Sequence, residues 1–220
     1  VIVLDHHQSE IKLPNAYSII NPNRIDDNSK LNYLCAAGVT FIFLIAVNKE
    51  LRSTKWYFEE KKDEPNLIEY LDLVSLGTVC DVVPLIGLNR AIVRQGLKIL
   101  RTRKNLGLKT LIDLCRIENH PNVYHLGYVL GPRINAGGRV GKSSHGANLL
   151  LKDNPKEVFK IAVELDQFNK ERQYLEKDVL QKIEKEAQKK RSDPVLILKG
   201  SNWHEGVIGI VASRIKDKFN

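Results

Sequence analysis

The feature of the sequence that most constrains its fold is one uninterrupted helical pattern between Pro155 and Arg191. Apolar residues recur along this segment at three- and four-residue steps, as on the buried face of a helix, and Arg172 interrupts them once. They are Val158, Ile161, Leu165, Phe168, Leu175, Val179, Ile183 and Ala187. At about 1.5 Å per residue the helix reaches roughly 50 Å, which exceeds the width of a small domain. The pattern therefore predicts a helix that joins two domains.

The two ends of the chain carry different patterns. The apolar run Val1-Ile2-Val3-Leu4 does not start with Met, and it is interpreted as a buried strand that is already under way. The last residues, up to Asn220, continue a helical pattern without a terminating residue. We therefore expect both ends to be truncations of a longer protein.

Helix and strand patterns alternate along the rest of the chain. A buried helix is predicted over residues 30–51 and a second helix over 67–80. After the long helix, residues 195–198 form a short strand pattern, and a new helix begins near Gly206. This alternation is typical of an α/β fold with a parallel sheet.

The same patterns predict where the chain divides. The first domain is expected at residues 1–153, and the connecting helix at 154–192. Residues 193–220 are expected to be the start of a second α/β domain. The boundaries follow from the two ends of the long helical pattern.

The charge of the chain narrows the class of partner. Lys and Arg number 34 and Asp and Glu number 26, which gives a net charge of +8 and a pI near 9.3. Such an excess favours polyanionic partners, and ordinary solubilising charge is the alternative explanation.

Cysteine content and hydropathy indicate the compartment. Cys35, Cys80 and Cys115 are too few and too widely spaced for a disulfide framework or a four-cysteine zinc site, which suits a reducing cytosol. The most apolar run, residues 39–47, is far shorter than the roughly 20 residues that span a bilayer. We expect a cytoplasmic protein with no membrane contact.

A third helical pattern, over residues 89–104, is basic on one side. Arg90, Arg94, Lys98 and Arg101 recur at three- and four-residue steps and share one helix face. No acidic residue occurs between positions 81 and 113, although a merely solvated face usually carries some. This face is predicted to contact nucleic acid, with a plain solvated surface as the alternative.

The first strand pattern ends directly in Asp5-His6-His7. The carboxyl edge of a parallel sheet is where ligands bind in α/β proteins. A carboxylate beside two imidazoles suits Zn, Mn or Fe better than Ca. The alternative is structural, because imidazoles also satisfy buried loop carbonyls.

Asp81 stands among apolar residues at the end of the second helix pattern. A carboxylate buried there would destabilise the fold by several kcal/mol unless it is paired or bound to a metal. A metal shared with His6 meets that need, and so does an N-cap or a salt bridge to Arg90.

Four segments together resemble one family. LDHH at residues 4–7 and SLGTVCDVVPL at 75–85 resemble the third and fourth motifs of the DHH phosphoesterases. GPRINAGGR at 131–139 is similar to the segment that distinguishes the RecJ branch, and WHEGVIGIVASR at 203–214 resembles the opening of its second domain. The four occur in the family's order and cover the chain from end to end.

The resemblance implies a fold and an activity. It implies an incomplete DHH catalytic domain with a parallel sheet, a long connecting helix and a second domain, with single-stranded DNA in the cleft between the domains. The implied activity is metal-dependent 5′ to 3′ exonuclease cleavage of single-stranded DNA in recombination and repair. A helicase or a single-strand-binding protein is a possible further partner in that setting.

The resemblance also implies roles for individual residues. His6 and Asp81 resemble ligands of a two-metal Mn²⁺ or Mg²⁺ centre, His7 a contact of the scissile phosphate, and Asp5 a residue that orients His6. The implied substrate contacts are Arg133, Asn135 and Arg139, which are expected in a glycine-rich turn, together with His204. The alternative for residues 131–139 is a structural turn between helices, with Arg133 capping a helix. For the segment that contains His204, the alternative is ordinary packing by the neighbouring Trp203.

The family's upstream aspartate motifs and its downstream glycine- and histidine-containing motif are absent from this sequence. We therefore expect the chain alone to bind metal poorly and to hydrolyse little. Two alternatives stay open: a DHH phosphodiesterase acting on short oligoribonucleotides or cyclic dinucleotides, and a noncatalytic DNA-binding relative.

Overall fold

The structure, a computed structural model, describes residues 1–219, and the chain divides into two compact units. The first unit combines residues 1–104 with residues 118–128. The second combines residues 105–117 with the chain from Val129 onward. The domain boundaries at 153/154 and 192/193 stay a prediction.

The first unit begins with a small parallel sheet. Strand β1 (Ile2–Leu4) pairs with strand β2 (Ser18–Ile20), and Val3 lies opposite Ile19. The predicted parallel strand at the start of the chain is confirmed, although Ile2 is half exposed. The second strand has no counterpart among the predictions, because three residues are too few to show an alternating pattern.

Helices make up most of the rest of this unit. They are α1 (Ala36–Ser53), α2 (Trp56–Glu59), a 3₁₀ helix (Leu67–Tyr70), α3 (Leu71–Cys80) and α4 (Gly87–Arg101). The α1 helix starts six residues later than predicted, where the Cys35 sulfur caps it by accepting from the backbone N–H of Gly38. It is buried on one face only, since Leu44 and Ile45 are exposed.

The α3 and α4 helices pack closely around a shared core. Leu71, Val74 and Ile92 pack together there with Phe41 of α1. A Cβ on Gly96 would lie 2.1 Å from the carbonyl oxygen of Leu71, so the two backbones meet without an intervening side chain. The contact joins the middle of α4 to the start of α3, and the two helices therefore run antiparallel.

The second unit is helical. It contains α5 (Leu106–Leu114), α6 (Gly131–Val140), α7 (Ser144–Leu151), α8 (Pro155–Lys189) and α9 (Glu205–Phe219), and a π-helix (His125–Leu130) leads into α6. The expected glycine-rich turn at 131–139 is wrong, because these residues form α6. Gly137 serves close packing instead, since a Cβ there would lie 3.0 Å from Leu165.

The long helix is confirmed as one continuous α-helix of 35 residues, α8. The side chain of Asn154 caps its start by accepting from the backbone N–H groups of Lys156 and Glu157. The half-buried Arg172, which breaks the apolar stripe, is bonded to Glu176 and Asn169 along the same helix.

The strand predicted at residues 195–198 is wrong, because these residues adopt no strand structure. Val195 and Ile197 are about 70% exposed, whereas Leu196 and Leu198 pack against the buried residues of α8 and α9. The alternation that suggests a strand thus reflects an extended segment lying on two helices. Within residues 1–219, no helix combines the length and hydropathy needed to cross a bilayer.

Candidate active site

His6 and Asp81 meet in the first unit although 74 residues separate them. His6 follows β1, and Asp81 is the C-terminal cap of α3. Their Nε2 and Oδ2 atoms lie 3.4 Å apart, with the side chains 16% and 39% exposed. The expectation that Asp81 is buried is wrong, because a helix end points its cap residue outward. Its partner here is His6 and not Arg90.

Asp5 contacts His7 and not His6. Its Oδ1 lies 2.7 Å from Nδ1 of His7, and the backbone N–H of His7 donates to the same oxygen at 3.4 Å. The rings of His6 and His7 lie side by side, with their centroids 4.5 Å apart, but only His7 bonds to Asp5. This geometry corrects the expectation that Asp5 orients His6. The bond from His7 holds the pKa of Asp5 below its usual value, against the opposing effect of burial.

Two asparagines that the sequence predictions left out hold the backbone of both histidines. The Asn23 amide donates to the carbonyl of His6 at 2.6 Å, and the Asn21 amide donates to the carbonyl of His7 at 2.9 Å. Asn21 is 5% exposed, and its Oδ1 accepts from the backbone N–H of Asn23 at 2.8 Å. The loop after β2 therefore fixes the peptide that carries the candidate site.

A third asparagine fixes the segment that follows Asp81. Asn89 is fully buried, and its amide donates to the carbonyls of Pro84 at 2.9 Å and Tyr33 at 2.7 Å. Val82, next to Asp81, has a φ of 58°, which is rare for a β-branched residue. Backbone strain of this kind is often found at functional sites.

Cys80 lies directly before Asp81 and is not a nucleophile at neutral pH. Burial raises the pKa of its thiol to about 11, and the negative charge of Asp81 adds to that effect. Its sulfur lies 3.6 Å from the carbonyl oxygen of Leu126. Cys80 therefore acts in packing.

The donors at this site suit a divalent metal but do not complete a centre. An imidazole nitrogen and a carboxylate oxygen at 3.4 Å could bind one ion together. Across residues 1–219, no group of three or more His, Cys, Asp or Glu side chains converges on a common point. His6 and Asp81 thus fit as two ligands of a larger set.

Arg133, a predicted substrate contact in the second unit, is held by internal partners. Its Nε donates to Asp166 at 2.8 Å, and its Nη1 donates to the carbonyl of Val129 at 2.7 Å. Burial alone would raise the pKa of Asp166, but the bonds from Lys170 and Arg133 outweigh it and lower the pKa. These contacts give Arg133 a structural role, but it lies inside α6 and not in a turn as a helix cap.

Arg139 and His204 come together at the start of α9. The Arg139 guanidinium donates to the carbonyl of Gly206 at 3.2 Å, and Nδ1 of His204 accepts from the backbone N–H of Gly206 at 3.0 Å. A Cβ on Gly206 would lie 2.3 Å from the carbonyl oxygen of Arg139, so glycine is needed there. Both side chains are exposed, as is Asn135 on α6.

Two further side chains of the second unit are held within the fold. Trp203 packs against the α8 and α9 core, as its structural alternative predicts. The ring of His145 is 13% exposed and lies 2.7 Å from Glu164.

Comparison with known proteins was made at the level of sequence and of fold. No family model matches the chain. Single-stranded-DNA-specific exonuclease RecJ of Escherichia coli is 41% identical over the whole chain, which covers 39% of that relative. The Salmonella typhimurium protein of the same name is 40% identical over the whole chain, which covers 39% of that relative. RecJ of Thermus thermophilus is 33% identical over 98% of the chain, which corresponds to 30% of that relative.

Solved structures give the same result. An exonuclease RecJ bound to manganese has a TM-score of 0.81 and 32% identity, over 99% of this chain and 52% of that one. RecJ of Thermus thermophilus in complex with Mn²⁺ has a TM-score of 0.80 over 99% of this chain and 31% of that one. The chain spans about two-fifths of the enterobacterial relatives. Its full-length agreement in sequence and fold shows that it belongs to the RecJ family.

Proposed function

We propose that the protein carrying this chain hydrolyses phosphodiester bonds of single-stranded DNA from the 5′ end, in recombination and repair. The observation that carries the proposal is the meeting of His6 and Asp81 at 3.4 Å beside the end of β1. The names of the relatives, which are single-stranded-DNA-specific exonucleases, support the substrate. Related structures hold Mn²⁺ or Mg²⁺, which supports the cofactor.

His6 and Asp81 are the proposed metal ligands. A two-metal centre needs further ligands, because two side chains cannot hold two ions. When bound, such metals lower the pKa of a coordinated water and stabilise the charge of the departing oxygen. The Asn23 amide fixes the carbonyl of His6 and thereby limits how far its ring can move.

His7 is the proposed contact of the scissile phosphate. Its side chain is 77% exposed, and Asp5 accepts a hydrogen bond from Nδ1. In the imidazolium form both ring nitrogens are donors, so with Nδ1 bonded to Asp5 the Nε2–H is left for a phosphate oxygen. Asp5 is therefore proposed to position His7.

Arg139 and His204 are the proposed phosphate contacts of the second unit, since both are exposed beside the N-terminus of α9. Asn135 is proposed as a polar contact on α6. Arg133 is proposed to contribute less to phosphate binding. Its Nε and Nη1 atoms already donate to partners within the fold, so mainly Nη2 is left for a phosphate.

The setting follows from the same proposal. We propose a cytoplasmic protein, because its three cysteines are free, as suits a reducing compartment. A helicase or single-strand-binding protein is proposed to supply or present the strand. Co-purification with either partner from cell extract would support this assignment.

The test uses full-length protein, Mn²⁺ and 5′-labelled single-stranded DNA. His6→Ala should abolish cleavage, because a metal ligand is lost. His120→Ala is the matched control, since His120 is exposed and forms no side-chain bond within residues 1–219. Undiminished cleavage by both His6→Ala and Asp81→Ala would overturn the proposal.

A further inference from the structure

The outward side of α4 carries four cations that no described residue neutralises. Arg90, Arg94, Lys98 and Arg101 are exposed, and within residues 1–219 none of these side chains forms an ion pair or a hydrogen bond. At 100° per residue they fall within an arc of about 80°, and along the axis they extend over about 16 Å. We call this surface, formed by the four residues, the α4 basic face.

Some cations elsewhere in this chain do have carboxylate partners. Lys104, just beyond α4, lies 2.7 Å from Glu69. On α8 and at its C-terminal cap, three lysines lie within 2.8 Å of a carboxylate four residues earlier, and they are Lys170, Lys182 and Lys190. The α4 basic face differs in that its four cations share one helix face while residues 82–112 contain no Asp or Glu.

The antiparallel packing of α3 and α4 gives the face a direction. Asp81 caps the end of α3, and α4 starts six residues later at Gly87. Arg90 consequently lies at the end of α4 nearer to Asp81, and Arg101 lies at the far end. The row of cations leads from the neighbourhood of the candidate active site outward.

The chemistry of the face selects its ligand. Three of its four cations are guanidinium groups, whose paired donors match the oxygens of a phosphate. An interface for an acidic protein segment also needs apolar anchors. No large apolar side chain of α4 is exposed between Gly87 and Arg101. A repeating phosphate backbone fits this surface better than an acidic peptide does.

We infer that the α4 basic face binds the phosphate backbone of a nucleic acid strand outside the candidate active site. The inference rests on the proposed function for the identity of that strand as the DNA substrate. Because the contacts are to phosphates, binding here is independent of base sequence and weakens with salt. The face holds the part of the strand that the cleavage site does not reach.

The experiment measures binding without cleavage. Full-length protein and its variant Arg90→Gln/Arg94→Gln/Lys98→Gln/Arg101→Gln are titrated against a long, labelled single strand in the presence of a chelator. Fluorescence anisotropy is recorded over a range of salt concentrations. The affinity should fall roughly tenfold or more, and the log–log salt slope should become shallower by about 0.7 per lost contact.

The matched control removes four cations that have partners, through Lys104→Gln/Lys170→Gln/Lys182→Gln/Lys190→Gln. It changes the net charge equally and should retain most of the affinity. Equal losses in both variants would show that net charge, and not this face, binds the strand. An unchanged salt slope in the α4 variant would overturn the inference directly.

Two further measurements separate the remaining outcomes. Unlabelled polyglutamate and unlabelled DNA are compared as competitors for the wild-type protein. If polyglutamate displaces the labelled strand as effectively as DNA does, the face binds an acidic protein segment, which overturns the inference. If the thermal unfolding midpoint of the quadruple variant is much lower than that of the wild type, two double variants are used instead. One neutralises Arg90 and Arg94, and the other neutralises Lys98 and Arg101. Since cleavage is blocked throughout, failure of the nuclease proposal would show in the His6→Ala assay and not here.

Discussion

Two regions of the molecule bring acidic and basic groups together, and they differ in how far each group is satisfied. At the end of β1, the partly exposed carboxylate of Asp81 meets one imidazole, that of His6. On α8, Asp166 is 16% exposed and accepts from both Arg133 and Lys170. The first pair keeps donor atoms for a ligand, whereas the second uses them within the fold. Unfilled bonding capacity, and not residue type, separates the candidate site from the structural cluster.

The largest effect is expected from Asp81→Asn. Loss of this proposed metal ligand should raise the barrier to cleavage by about 4 kcal/mol, which is about a thousandfold in rate. The thermal unfolding midpoint should hardly change, because the Asp81 side chain is 39% exposed. Rates on labelled single-stranded DNA and calorimetry measure the two effects. Wild-type cleavage by this variant would remove the distinction between the two regions.

Asp166→Ala should act in the opposite way. It leaves the half-buried Arg133 without its carboxylate partner and should lower the free energy of unfolding by about 2 kcal/mol. Urea denaturation measures the loss. The double variant Arg133→Met/Asp166→Leu, which removes both charges, should recover part of it. A stable Asp166→Ala protein without cleavage activity would place this cluster in the active site.

Asn23→Ala tests whether a bond to the backbone positions His6. Losing the bond to the carbonyl of His6 should reduce activity about tenfold to a hundredfold, because ligand orientation relaxes. The Mn²⁺ concentration for half-maximal activity should rise, which a change in stability alone would not cause. Asn15→Ala, at an exposed position of the preceding loop, is the control. Reduced activity at an unchanged Mn²⁺ requirement would speak against positioning.

The smallest effect concerns pH. The pKa of Asp166 is lower in the folded protein than its ordinary value, so its contribution to stability is present above the unfolded pKa of about 4. That contribution is lost as the pH falls through the lower folded pKa. The stability difference between wild type and Asp166→Asn should therefore shrink below about pH 4. Denaturation curves over that range test it, and a constant difference would contradict the assignment.

Periodic features could be predicted from the sequence. The long helix α8 was expected from Pro155 to Arg191 and ends at Lys189, because its apolar stripe repeats many times. The placement of Asp81 at the end of α3 also followed from the pattern. The meeting of His6 and Asp81 came from the family resemblance, since no local pattern relates residues this far apart.

Features without a period could not be predicted. The amides of Asn21 and Asn23 bond to backbone carbonyls, and such bonds leave no repeat in the sequence. The glycines of residues 131–139 suggested a turn, although in α6 they allow close packing. The pairing of Asp5 with His7 is a local contact beyond the end of β1, where no strand alternation applies. Resemblance to the family gave a different assignment there.

The close approach of α4 to α3 has a mechanical consequence. At Gly96 the helices touch through backbone atoms, and backbone deforms less readily than long side chains do. A force on a strand bound along α4 would therefore move α3, and with it the carboxylate of Asp81, by nearly the same distance. The packing of α3 against α4 would then fix the distance between the strand bound on α4 and the cleavage site at Asp81. Gly96→Ala would change that distance.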